Sequence, residues 1–484
     1  MILSRTATLL VALPLLVHAA NIDYKKAWTA AGDRLPDFSY AGYHQSEIAL
    51  PALSRPATKT LTPSSGDQSS VIQTALDSVA KSGGGVVELK AGTYTVSHGL
   101  LIDNQTTLRG VGPGKTILEL KDLIEDAIIM GNSSGKPKMG KPIPITDDYV
   151  PAGTQTVHVA DAGGLTVGMH VMVSRAVTQA WIDAQGMAPY PKWLQPGKLV
   201  QQPRRIMSVS NKEVSLDIPL TDSLNAAKDL MTSIALIPFT PPAQPCEMGV
   251  ENLSIRLSPS CSGTRLGAGK CDRYGVVISS WITDSWLRNL DLTGFNGFIN
   301  TQKSSSRLTI TNVVMNRDGL TDNGAGYALD ISIEGTQVLV HNCKTAGGEG
   351  TKSYGIATKT LTAGPNACIG YEAQQPVVSM EPHQRWAHGF LLEGSTNAAV
   401  VLRDRAGAGT GQGLSINNGV AWNTNASSYT VQNPPLGQNY CFGCVGPKNP
   451  KLVNNGTYES YGTFVEPSSL FKAQLRDRGF SFQL

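Results

Sequence analysis

Four polar, glycine-rich loops, each followed by a short apolar strand, return at intervals of roughly 25 to 35 residues in the second half of the chain. They read Asn316-Arg317-Asp318-Gly319 through Asn323-Gly324 before YALDISI, GGEGTKS before YGIAT, Glu381-Pro382-His383-Gln384-Arg385-Trp386 before HGFLLE, and AGAGTGQ before GLSINN. A strand-plus-loop unit this small cannot bury a hydrophobic face alone, so a repeat of this period requires coils stacked into a solenoid. Stacking places the loops on one side, where Asp318, Glu349, Lys352, His383, Arg385 and His388 would line a single groove.

A second clock supports the same stack. Asn252, Asn289, Asn312, Asn342 and Asn366 recur once per coil beside an apolar strand. Coils set ~4.8 Å apart let such amides bond their equivalents above and below, so these residues are expected to be structural. The 484 residues carry a formal charge of only +3, and Gly (50) is abundant, which fits a turn-dense all-β chain. No basic stripe points to nucleic acid.

The start, Met1-Ile2-Leu3-Ser4-Arg5 followed by an apolar run from Ala7 to Val17 and Val17-x-Ala19, has the form of a secretory signal over 1–19, too short to span a bilayer. The mature protein is therefore expected to be secreted, without a membrane partner, and monomeric. All seven cysteines lie beyond residue 245. In an exported protein that implies bridging, with Cys261–Cys271 or Cys441–Cys444 the expected local pairs. Five N-x-Ser/Thr acceptors (Asn104, Asn132, Asn252, Asn425, Asn455) permit glycosylation in a eukaryotic host.

Residues 20–66 read as an extended segment wrapping the body. The run VIQTALDSVAKS then forms a helix, with Val71, Ile72, Ala75, Leu76 and Val79 on its apolar face, stopped by Gly83-Gly84-Gly85. Such a helix would cap the open end of a solenoid. The sequence IQTALDSVAKSGGGVVELKAGTYTV followed by TTLRGVGPGKTIL resembles the opening of the pectate-lyase-like superfamily, and the whole chain is similar to its secreted fungal members. The resemblance covers residues 67–120 and implies a right-handed parallel β-helix. It does not imply one activity, because members include lyases, hydrolases and viral tailspikes.

From 121 to 245 the coil pattern lapses into strand-like runs expected to form a β-rich insertion. Its Trp181, Tyr190 and Trp193 are either a sugar-stacking platform or the insertion's own small core. Coils resume over 246–445, and 446–484, with an LFKAQLRDRG helix, are expected to pack over the last coil.

Strand alternation turns Asp330, Glu393 and Asn417 outward, giving the groove a polar floor. EPHQRWAHG makes poor core, since unpaired burial of such groups costs ~1–3 kcal/mol each. That assortment suits β-elimination on a uronic-acid polysaccharide: Arg385 or Lys352 would neutralise the carboxylate, and His383, His388 or Tyr354 would handle protons, with Trp386 and Glu349 alongside. Superfamily relatives often use Ca²⁺ for neutralisation, and Asp318, Asp322 and Glu349 are possible oxygen ligands, although no compact ligand run is present. Two alternatives remain open: a glycoside hydrolase using paired carboxylates (Asp330 with Glu393, or Asp318 with Asp322), and a glycan-binding β-helix without catalysis.

Overall fold

The computed structural model describes residues 19–122, 125–132, 135–227, 230–261, 271, 273–318, 328–347, 353–374 and 377–484. Residues 1–18 of the expected signal segment 1–19, Glu349, Lys352 and Asp322 lie outside the described residues. The chain is a right-handed parallel β-helix, the sense that parallel strand–crossover–strand connections take. One sheet runs through twelve successive parallel strands, from Lys59–Leu61 to Thr457–Glu459. A second, seven-stranded sheet runs from Leu100–Ile102 to Val377–Ser379. Inward residues stack in register between coils, Leu253 on Leu290 on Val313 in the first sheet and Val276 on Ile299 on Ile331 on Ile356 in the second. These rows form one continuous apolar core.

The asparagine clock is a physical ladder. Asn289 donates to Asn252 (2.9 Å), Asn312 to Asn289 (3.1 Å) and Asn342 to Asn312 (2.6 Å). Each of the four has positive φ, between 48° and 59°, a conformation that asparagine tolerates better than most residues. Asn366 is not a rung: it lies inside a strand, buried, and bonds the backbone of Val338, Gly335 and Ala363. Gly370, whose φ is 67° and whose N–H bonds Glu393, takes the turn position in that coil.

The helix Ser69–Lys81 closes the first coils with Ile72, Ala75, Leu76 and Val79 in the core, while Val71 is 56% exposed and off the buried face. The C-terminal helix Leu470–Asp477 does not sit on the end of the stack. With Ile22, Leu35 and Phe38 of the N-terminal segment it covers the outer face of the long sheet, against Leu391, Val420 and Trp422. Cys261–Cys271 and Cys441–Cys444 are disulfides, leaving Cys246, Cys343 and Cys368 as thiols.

Ile128–Met130 is still a coil strand, pairing with Leu100–Ile102 and Tyr274–Ile278. The antiparallel module begins only after it. Its centre is His170–Val177 between Leu199–Ser210 and Met231–Thr240, over a core that includes Val171, Val173, Ile206 and Leu236.

Candidate active-site cleft

Several residues expected in the groove instead fasten the insertion to the coils. Trp386 is fully buried, edge-on to Trp181 (4.8 Å) and Trp193 (6.1 Å), so the aromatic cluster is core and not a sugar platform. At its side lies Asp222, which accepts from Arg175 (2.8 Å), Asn417 (2.9 Å) and Trp386 (3.2 Å). Burial pushes the Asp222 carboxyl up, but Arg175, His388 and these donors outweigh it and hold it below its ordinary value. The buried His388 pairs through Nδ1 with Thr221 (2.7 Å), and burial lowers it to about 4. Arg385 is spent on the carbonyls of Lys192 (3.0 Å) and Thr410 (3.1 Å) and on the Thr410 hydroxyl (2.7 Å).

The expected carboxylate floor does not form. Asp330 turns inward, ion-paired to Arg317 (2.7 Å) and accepting from Tyr371 (2.6 Å) and Thr345 (2.5 Å). Glu393 does face outward, but onto the C-terminal helix, where it accepts from Ser469 and from Phe471 N–H (3.0 Å). Asp318 is exposed and accepts from Ser260 (2.7 Å). Among the described residues no group of three His, Cys, Asp or Glu is arranged to hold a metal ion.

The cleft lies where the insertion overhangs one corner of the coils. A cavity of ≈ 140 Å³ is walled by His170, Arg205 and Asp217 of the insertion and by Trp281, Arg307 and Glu334 of the coils. Arg205, Asp217 and Arg307 also line a wider opening of ≈ 790 Å³, so the two are one cleft. At its inner edge Glu334 belongs to a row of residues from successive coils. The N–H groups of Gln302, Glu334, Lys359 and His383 bond in turn to Ile278, Thr301, Ile333 and Thr358 carbonyls, which stacks the four side chains at ~4.8 Å intervals. Tyr354 meets His383 edge-on at 6.2 Å. Two of the expected residues, His383 and Tyr354, thus stand at the far end of this row, about two coils from Glu334.

Burial polarises the cleft. It raises the carboxyls of Asp217 and Glu334 against the opposing pull of Arg204 and Arg205 on the first and of Lys359 and Lys303 on the second. His170 is lowered to about 4 by burial and then by Arg205 and Arg307, so its imidazole is neutral at ordinary pH. His383 is lowered to about 3 by burial, then by Lys359, Arg405 and Arg385. Arg307 is bidentate on Asp284, both contacts at 2.7 Å. The half-buried Arg205 guanidinium, by contrast, makes no hydrogen bond or ion pair among the described residues; Arg205 binds Asp217 through its backbone, the N–H donating to the carboxylate and the carbonyl accepting from Asp217 N–H.

The outer wall is the segment Phe38–Glu47. His44, Gln45 and Ser46 all have positive φ (43°, 57°, 57°), a run that costs ~1–2 kcal/mol per residue. It is held by His44 on Glu247 (2.7 Å), Tyr43 on Glu247 (2.6 Å) and Gly42 N–H on Gln337 (2.9 Å). Sequence reasoning missed this wall, along with His170, Arg205, Asp217 and Glu334. The aromatic and charged density of FSYAGYHQSE was the available signal. Nothing in the sequence pairs it with residues more than a hundred positions away.

No family model matches the sequence, and no curated protein does. Among solved structures the chain is similar to a double mutant of the tailspike protein of E. coli bacteriophage HK620 (8% identity, 83% of this chain and 63% of that chain, TM-score 0.42). It is also similar to the Azotobacter vinelandii mannuronan C-5 epimerase AlgE6 A-module (10%, 84% and 97%, TM-score 0.31). A third is the Gp54 tailspike of Acinetobacter baumannii bacteriophage AP22, in complex with capsular saccharide (10%, 83% and 71%, TM-score 0.27). At these identities and scores the likeness assigns no residue a role.

Proposed function

We propose that this chain is an exported enzyme that cleaves an acidic polysaccharide by β-elimination in the cleft between insertion and coils. The observation that carries the reading is Arg205, a half-buried guanidinium that makes no direct hydrogen bond or ion pair among the described residues, facing a cavity it shares with a neutral imidazole and two carboxyls that burial favours in the protonated form. A buried cation left unpaired is costly, and a uronate carboxylate would pair it bidentately. His170 then takes the proton α to that carboxylate, the freed electron pair forms the C=C bond, and the glycosidic C–O bond breaks. Glu334 donates its proton to the departing oxygen. Trp281, half-buried in the same cavity, offers an apolar face to the sugar ring.

A hydrolytic reading draws on one observation, that Asp217 and Glu334 wall the same cavity as an acid and base pair would. Incubation of the secreted protein with acidic and neutral polysaccharides separates the two. Elimination yields an unsaturated product absorbing in the ultraviolet, whereas hydrolysis yields reducing ends without that absorbance. Arg205→Ala should lower turnover on the acidic substrate by ~10² or more while the fold persists. Wild-type turnover in that variant removes the assignment.

A further inference from the structure

On the far side of the insertion lies a second concavity of ≈ 230 Å³ whose lining chemistry is the opposite of the cleft's. It is framed by the N-terminal segment, the insertion and the Pro435–Gln438 loop, and among the described residues no Lys, Arg or His side chain lines it. The one charged lining group among the described residues, Asp33, already accepts from Tyr149 (2.7 Å), Thr29 (2.7 Å) and Ala152 N–H (2.9 Å). The floor carries short neutral amides and hydroxyls, Ser223, Asn225 and Asn418. Asn418 is fixed by its Nδ2 bond to the Thr221 carbonyl (3.0 Å). The lip is apolar: Leu436 is 39% exposed beside Pro435. In the wall, the fully buried Trp181 leaves its Nε1–H without an acceptor among the described residues, and behind the lip Gln185, whose Oε1 accepts from Leu436 N–H (3.2 Å), leaves its Nε2 without one.

We infer that this concavity is a second, non-catalytic site for a neutral saccharide unit. A sugar presents an apolar C–H face and a ring of hydroxyls, which matches an apolar lip over a neutral polar floor. Among the described residues no cationic side chain lines this concavity to pair a uronate carboxylate, so the two sites select different sugars. The volume is below that of pockets for drug-sized ligands and suits a single ring or a branch end. This inference does not depend on the reaction assigned to the cleft.

Saturation-transfer NMR on the whole protein, with methyl glycosides of neutral hexoses and the matching uronates as probes, tests it. At least one neutral hexoside should receive saturation that persists in Arg205→Ala, and the uronates should receive none once Arg205 is removed. Leu436→Ala, on the exposed lip, should weaken the neutral signal by about tenfold, and Asn225→Ala should do so independently. Unaltered thermal midpoints show that both variants are folded. No transfer to any neutral hexoside, or transfer indifferent to both substitutions, overturns the inference.

Discussion

Replacing Asp222 with Ala should loosen the insertion from the coils more than any change at the cleft surface. Asp222 is 1% exposed and is the only carboxylate bonded to Arg175, which is equally buried, among the described residues. Removing one partner of such a pair costs ~3–5 kcal/mol because the remaining charge stays buried. Asn417 and Trp386 each lose an acceptor as well, at ~1 kcal/mol apiece. The sum, about 5–7 kcal/mol, is a large share of the ~5–15 kcal/mol that holds a typical native protein. Urea unfolding followed by tryptophan fluorescence is the assay, since Trp181, Trp193 and Trp386 stand at this contact. Arg175→Met combined with Asp222→Leu should recover most of the loss, as apolar replacements of buried pairs often do. A cost below ~1 kcal/mol for Asp222→Ala would refute the reading of this cluster as a structural weld.

His388 and His383 bind protons more weakly folded (about 4 and about 3) than the unfolded imidazole does. The stability they contribute is therefore complete above the unfolded value and falls as pH drops toward the folded ones. For the fully buried His388 the loss approaches the order of 3 kcal/mol, and His388→Gln should flatten the acid limb of a Tm-against-pH curve. For catalysis, His170 accepts a proton only while neutral, so elimination should fade as pH is lowered through about 4; a rate indifferent to pH there excludes His170 as base. Asn312→Ala breaks two rungs and leaves alanine at positive φ, which should cost about 2 kcal/mol by denaturant titration, with Asn312→Gly costing less. Glu393→Gln keeps an acceptor for Phe471 N–H without a buried charge and should leave stability within ~1 kcal/mol, whereas Glu393→Ala strips the C-terminal helix of its anchor and should cost ~1–2 kcal/mol.

Local periodicity determined the solenoid. The spacing of Asn252, Asn289, Asn312 and Asn342 encodes a contact between neighbouring coils, and the apolar alternation of strands such as Ala387–Glu393 encodes which side chains meet the core. Both are short-range regularities that repeat, so they are written along the chain. What alternation cannot encode is the layer that covers an outward face. Glu393 points outward as its parity requires, yet a helix from the far end of the chain lies over it. Trp386, His388 and Asn417 likewise look like groove residues until the insertion supplies Asp222 and Thr221 as partners. Only tertiary structure decided the candidate site, because its walls come from three separate stretches: Phe38–Glu47, the insertion strands bearing His170 and Arg205, and the coil corners bearing Trp281, Arg307 and Glu334. None of these residues repeats with the coils as a motif. Their chemistry arises from desolvation and from charges brought together by folding, quantities that no window of sequence contains.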